Sequence, residues 1–273
     1  MKRHRDTDPY WMDSARLPRF PKLERGTTVD VVVVGGGITG LTAAYLLTLE
    51  GGRVALLERE ALAGIDTGHT TAHLTMVTDL RISELAKTFG RPHAQAVWDA
   101  GLAAVEKIHS IVDDLTVDCD FAWVPGYIHS PIGEAAGDSA SSFKDDASLA
   151  SELGFDAEFL DEVPFVGGPG VRFSDQARFH PRKYLAALAK AIVDRGGLIF
   201  EHSAADTFSN EPRSVVSNRH TIACKAIVLA THNPLVGNAG LAGATLFQTK
   251  LALYTSYAIA GRTKKGVIPD ALF

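Results

Sequence analysis

The sequence predicts an α/β fold in which a parallel sheet is wound with helices, and three observations predict it. Residues 29–34 form a β-branched run around Val31-Val32-Val33-Val34, as expected of a parallel strand buried on both faces. That run leads straight into Gly35-Gly36-Gly37-Ile38-Thr39-Gly40, and then into Leu41-Thr42-Ala43-Ala44-Tyr45-Leu46-Leu47, which has helix composition. A second apolar strand, Val54-Ala55-Leu56-Leu57, follows a Gly51-Gly52 stop and ends at Glu58. Together these make one complete βαβ unit in about 30 residues.

The remaining elements follow in chain order. Residues 1–27 are polar and marked by Pro9, Pro18 and Pro21, with Trp11 and Phe20 as anchors, and read as a lead-in arm. Trp98, Leu102, Val105, Ile108, Val112 and Leu115 recur every three or four residues and predict an amphipathic helix. Residues 121–128 read as a strand around Pro125-Gly126, and 133–151, rich in Ala, Ser, Gly and Asp, as a surface excursion. Leu185, Leu188, Ala189 and Ile192 mark a helix stopped by Gly196-Gly197, with a strand after it at 198–200. Ala226-Ile227-Val228-Leu229-Ala230 is a further buried strand, and residues 251–259 are a strand candidate near the end.

Composition removes several function classes. The 273 residues are 46% hydrophobic and 22% charged, which suits a globular chain rather than a disordered or fibrous one. No apolar run approaches the roughly 18 residues of a membrane helix, so the chain is expected to be soluble. A formal charge of −5, with a pI near 6.0 and no basic stripe, argues against a nucleic-acid platform. The basic cluster Lys2-Arg3-His4-Arg5 has no hydrophobic region after it, so no secretory signal is expected. Cys119 and Cys224 stand far apart, which suits a reducing cytoplasm and excludes a cysteine-built metal site. The ten histidines show no HExxH-type spacing, so no metal is expected. A nucleophile elbow of the Gly-x-Ser-x-Gly kind is missing too.

The glycine motif carries the chemistry. A dinucleotide pyrophosphate must approach a helix N-terminus closely enough to use its free N–H groups and its dipole. Gly35 permits the tight turn out of the strand, Gly37 leaves room for the phosphates, and Gly40 lets the helix pack closely on the strand. Alone the motif is weak, and a glycine-rich turn without a ligand is the alternative. Here it follows a strand, opens a helix, and is followed by an acidic residue at the tip of the next strand. Glu58 at that tip suits the two hydroxyls of an adenosine ribose and would repel a 2′-phosphate; otherwise it is a solvated strand-end charge.

These segments, from Asp30 to Leu47 and from Gly52 to Arg59, resemble the FAD fingerprint of the D-amino-acid oxidase and glycine oxidase superfamily. Gly64-Ile65-Asp66-Thr67-Gly68-His69-Thr70-Thr71-Ala72 resembles the family's hydroxyl-rich loop beside the flavin. Ala226-Ile227-Val228-Leu229-Ala230-Thr231-His232 is similar to its returning Ala-Thr-Gly strand, with His232 in place of the glycine. More narrowly, the Gly-His-Thr-Thr-Ala-His loop and the arm resemble a bacterial subgroup that carries a C-terminal Rieske iron–sulfur domain. Family members continue past the position of Phe273, and the Cys-x-His and Cys-x-x-His pair of a Rieske centre is missing here, so the chain reads as an N-terminal part.

The resemblance implies a Rossmann-like FAD-binding domain with an interleaved α+β substrate domain, C-terminally truncated. The expected division is a lead-in arm at 1–27, FAD-binding parts at 28–95 and 171–235, and substrate parts at 96–170 and 236–273. It implies pyrophosphate contacts at Gly35, Gly37, Ile38, Thr39 and Gly40, Glu58 on the ribose and Arg59 near the adenine. Thr67, Thr70 and Thr71 would line the flavin, Ala205 would flank the adenine, and Thr231 would return near the pyrophosphate. The bland reading of these threonines is capping or turn formation. His69 is a conceivable covalent flavin attachment site, and a loop histidine held by local hydrogen bonds is the alternative. His180, before Pro181, reads as local structure. Trp123, Tyr127, Tyr254 and Tyr257 would lie on substrate-domain strands, with core packing as the default.

The implied activity is oxidation of a C–N bond of an amine or amino acid by hydride transfer to FAD; no catalytic residue is named. Alternatives are an electron-transfer flavoprotein partnered with an iron–sulfur domain, a nicotinamide-dependent dehydrogenase, and an inactive fragment. A cytoplasmic location, with neither a nucleic-acid nor a membrane partner, completes the expectation.

Overall fold

The computed structural model describes residues 9–131, 140–232 and 261–273. The chain divides into two compact units, residues 1–70 with 181–260 and residues 71–180 with 261–273.

The first unit is built on a four-stranded parallel sheet. Its order is Ala226–Leu229, Val31–Val34, Val54–Leu57, Leu198–Phe200, with Val31 beside both Ala226 and Val54. Side chains alternate across a strand, so the sheet buries two apolar faces. Val32, Val34, Ala55 and Leu57 form one cluster with Leu23, Val29, Val215 and Ile222. The last two belong to a smaller sheet in which His220–Ala223 lies between Thr27–Thr28 and Arg213–Ser217, with Thr207–Asn210 outermost. Helix Ile38–Leu49 packs against helix Pro181–Asp194, burying Leu41, Ala44, Tyr45, Leu185 and Leu188. Each such leucine contributes about 1.5–3 kcal/mol on leaving water. Gly51, at φ +77°, follows the first of these helices, as its Gly-Gly stop implies.

At the start of the first strand Asp30 accepts the Arg53 backbone N–H at 2.9 Å, the Arg53 guanidinium at 3.2 Å and Lys225 Nζ at 2.9 Å. The Arg53 guanidinium first, and Lys225 next, hold its carboxyl well below the usual carboxylate range. A carboxyl lowered by folding stabilises fully above its ordinary value near 4, and that contribution fades as pH falls below it. Asp30→Asn is therefore expected to flatten the melting-temperature curve below about pH 4, followed by circular dichroism from pH 7 to 2. An unaltered curve would place the acid sensitivity elsewhere.

The second unit centres on strand Gly170–Arg178, which pairs antiparallel with His73–Leu74, Ala122–His129 and Ala157–Leu160. Helices Ile82–Phe89, Arg91–Asp114 and Ala140–Glu152 supply its core, in which Trp98 meets Phe155 and Phe173 edge-on at 5.3 and 5.4 Å. At the bulge by Pro125, the Leu272 N–H donates to the Pro125 carbonyl and Phe273 stacks on Tyr127.

Three readings change. Of the stretch read as a surface excursion, residues 140–151 lie in helix Ala140–Glu152, because Phe143, Ala147 and Ala150 fall on one face and are buried. The first division falls after Thr70 rather than 95, since 73–74 pairs with the second unit's central strand and Met76, Ile82 and Leu85 join its core. The second falls after His180 rather than 170, because that central strand runs from Gly170 to Arg178. The arm belongs with the first unit, and the strand expected at 251–259, with Tyr254 and Tyr257, lies outside the described residues. Among the described residues no helix is long and apolar enough to cross a membrane.

Candidate cofactor site

The site grows from the end of strand Val31–Val34. The ladder continues one step, with the Gly35 N–H on the Leu57 carbonyl and the Ala230 N–H on the Val34 carbonyl, both at 2.8 Å. The chain then turns sharply at Gly35, whose φ is +112°. A Cβ there would stand 2.3 Å from the Ala230 carbonyl oxygen and 3.4 Å from Thr231 N, so the strand carrying Thr231 lies directly beside the turn. At Gly40 a Cβ would fall 1.9 Å from the Gly35 oxygen, which is why the helix can sit so close to the strand it leaves. Gly37 differs: among the described residues, its chain neighbours aside, the single atom within 4 Å of its added Cβ is Thr67 Oγ1, at 3.2 Å.

Helix Ile38–Leu49 opens at Gly37 with no side-chain cap on its own residue and no acidic residue in its first turn. Thr67 reaches in from the 3₁₀ turn Asp66–His69, and its hydroxyl accepts the Ile38 N–H at 3.2 Å. The Leu41 N–H goes to the Gly37 carbonyl at 3.0 Å. The N–H groups of Gly37, Thr39 and Gly40 have no hydrogen-bond partner among the described residues. Free donors at the positive end of a helix suit an anion.

Glu58 lies across the turn. One carboxylate oxygen accepts the Gly36 N–H at 2.7 Å and the other the Glu60 N–H at 2.8 Å. A carboxylate offers about four acceptor positions, so two remain for hydroxyl donors. The Ser203 N–H donates to the Glu58 carbonyl at 2.8 Å, which brings the segment leading to Ala205 alongside. Ala205 itself packs on the Val32–Leu57 cluster.

The chain belongs to a known family. A model of the FAD-dependent oxidoreductase family, DAO, matches residues 30–266. With 33% identity over 261 residues, the chain is similar to the putative Rieske 2Fe-2S iron-sulfur protein YhfW of Bacillus subtilis, across 94% of this chain and 50% of that protein. The gamma-glutamylputrescine oxidoreductase of Escherichia coli is 25% identical over 250 residues, 86% of this chain and 55% of that one. Glycine oxidase from Geobacillus kaustophilus shares the fold at TM-score 0.58 and 16% identity, covering 75% of this chain and 55% of that one. L-amino acid deaminase from Proteus myxofaciens does so at TM-score 0.61 and 15% identity, covering 80% and 48%. The chain spans about half the length of the curated relatives it matches.

FAD is the cofactor of the family, and this site fits it. The open space at Gly37, the three free N–H groups and the spare acceptors of Glu58 suit a pyrophosphate and a ribose in turn.

The structure therefore brings together Gly35, Gly37, Ile38, Thr39, Gly40, Glu58, Thr67 and Thr231. Arg59 is exposed. The Thr70 carbonyl accepts Trp11 Nε1–H at 2.8 Å, while Thr71 is exposed at the start of the second unit. Exposed His69 keeps its Nδ1 on the Ile65 carbonyl at 2.6 Å, so a local hydrogen bond holds the ring. His232, where the resemblance leads one to expect a glycine, adopts φ +63°, the conformation a glycine takes freely, and its Nδ1 lies 3.5 Å from Asp66.

Sequence reasoning missed two residues that brace the site from behind. Glu201 and Arg182 are both buried, at 4% and 9% exposure, and both grip the loop that follows Glu58. Burial pushes the Arg182 guanidinium below its usual range.

Proposed function

We propose that this chain is the FAD-binding part of an oxidoreductase that oxidises the C–N bond of an amine or amino acid by hydride transfer to flavin. The observation that carries the cofactor placement is the trio of unpaired N–H groups at Gly37, Thr39 and Gly40, set beside Glu58. In this reading Gly35 to Gly40 hold the pyrophosphate, with Thr231 behind the turn and Thr67 fixing the helix start. Glu58 takes the ribose hydroxyls, Ala205 and Arg59 border the adenine, and Thr70 and Thr71 border the flavin. When bound, FAD supplies an acceptor for a hydride. The protein's part is to hold and orient it; no side chain of this chain is assigned as a base. The names of the relatives, an oxidoreductase of gamma-glutamylputrescine, a glycine oxidase and an L-amino acid deaminase, support a substrate bearing an amine.

The similarity to YhfW, itself described as a Rieske 2Fe-2S protein, favours a second reading, in which the flavin exchanges electrons with an iron–sulfur domain. A cytoplasmic setting suits either. One experiment separates them: the flavin-loaded protein is mixed anaerobically with a panel of amines and amino acids, and absorbance near 450 nm is followed. Bleaching by an amine, with the matching imine or carbonyl product, supports oxidation. A flavin that stays oxidised with every amine but accepts electrons from a reduced iron–sulfur protein supports the second reading.

A further inference from the structure

The contacts of Glu201 and Arg182 join the N-terminal arm to the loop behind the glycine turn. Glu201 accepts the Phe20 N–H on one oxygen and the Leu62 N–H on the other, both at 2.8 Å. Arg182 Nε donates to the Ala15 carbonyl at 2.9 Å, and Nη1 to Met12 Sδ at 2.9 Å and to the Ala63 carbonyl at 3.4 Å. Each charged group thus holds the arm, Glu201 at one residue and Arg182 at two, and one of two adjacent loop residues.

Those loop residues fix Gly36. The Ala63 N–H donates to the Gly36 carbonyl at 3.0 Å, and a Cβ on Gly36 would stand 2.5 Å from the Leu62 side chain. Ala63 holds φ +51°, which a non-glycine residue keeps only where its surroundings hold it; here both its N–H and its carbonyl are engaged. With Glu58 on the Gly36 N–H, residue Gly36, just before Gly37, is gripped at both its N–H and its carbonyl. Burying a carboxylate and a guanidinium is costly, and an apolar pair could fill the volume. What an apolar pair could not do is grip two distant backbones at fixed angles.

We infer that Arg182 and Glu201 are positioning residues for FAD: they clasp the arm to Leu62 and Ala63, and through Gly36 fix the aim of the free N–H groups of the glycine turn. This rests on the proposed reading of that turn as the pyrophosphate site. Neither side chain need touch the cofactor; each acts through the backbone it holds.

The test uses the 273-residue chain with Arg182→Met, which keeps the apolar stem, and Glu201→Gln, which keeps one acceptor oxygen. FAD affinity is read by quenching of flavin fluorescence, at a temperature where circular dichroism shows each variant folded. Amide hydrogen exchange of segments 36–40 and 60–63 is read on the same proteins. The expected result is an FAD dissociation constant raised about tenfold or more, the usual scale for an outer supporting contact, with faster exchange in both segments. Arg182→Lys, which keeps the charge and a single donor head, folds and falls between wild type and Arg182→Met. Variants that melt earlier yet bind FAD as tightly, with unaltered exchange at 36–40, overturn the proposal and leave a merely structural clasp. A wild-type chain that takes up no FAD overturns the pyrophosphate reading and the clasp's cofactor role with it, whereas faster exchange in the variants still shows that the clasp holds the turn.

Discussion

Gly37→Ala is expected to weaken FAD binding by about 100-fold, or about 2.8 kcal/mol, while leaving the stability of the apo-protein within about 1 kcal/mol of wild type. Gly37 has φ −85° and ψ −170°, which alanine adopts without strain. Its new methyl meets Thr67 Oγ1 at 3.2 Å and otherwise fills the space proposed for the phosphates. Gly40→Ala should behave in the opposite order. Its methyl falls 1.9 Å from the Gly35 oxygen and 3.5 Å from the Ala230 side chain, so the helix must leave the strand. The apo-protein then loses about 3 kcal/mol or more, and cofactor binding fails as a consequence. Urea unfolding of the apo-proteins, beside flavin titration, separates the two. If Gly37→Ala binds FAD like wild type, the pyrophosphate lies elsewhere.

The contrast bears on what a sequence discloses. Glycine spacing, the β-branched strand before it and Glu58 after the next strand are local, and all fall within one βαβ unit. That unit was readable because a buried parallel strand, a phosphate turn and a strand-end acid each impose their own residue types. Strands 198–200 and 226–229 were readable as short apolar runs, although the second, expected to be buried, leaves Ala226 and Leu229 exposed. The helix carrying Trp98 was readable from its three- and four-residue spacing. Helix Ala140–Glu152 was not, since its buried face is made of one phenylalanine, small alanines and Asp146, a pattern with little apolar contrast.

The hidden part of the site is long-range. Glu201 reads as a charge after a short strand and Arg182 as one at a helix start; nothing local says that each grips an arm residue more than 160 positions away. The resemblance put Thr67 in the loop expected to line the flavin. That it takes the Ile38 N–H follows from the loop's path rather than from its composition. His232 carries the clearest mark of this kind. It stands where the resemblance leads one to expect a glycine, and it takes the left-handed backbone a glycine would adopt freely.

The largest loss of stability in the second unit is expected from Asp146→Ala. Asp146 is fully buried, pairs with the Arg81 guanidinium, and accepts the Ser83 N–H at 3.2 Å. Ser83 is the second residue of helix Ile82–Phe89, and Arg81, just before it, supplies no side-chain cap. The carboxylate of a neighbouring helix therefore does the capping, at the end where the helix dipole favours negative charge. The same Arg81 guanidinium lies over the Phe143 ring at 4.5 Å, so it is packed as well as paired. Removing the acid leaves a cation and a backbone donor without their shared acceptor, a change that costs about 3–5 kcal/mol in buried pairs. Urea unfolding, with proteolysis or amide exchange over residues 81–89 and 140–152, locates the loss in this unit. Removing both charges together, as Arg81→Met with Asp146→Leu, should recover most of it, because no charge is then buried alone. A loss below about 1 kcal/mol for Asp146→Ala would mean that water replaces the carboxylate at the helix start.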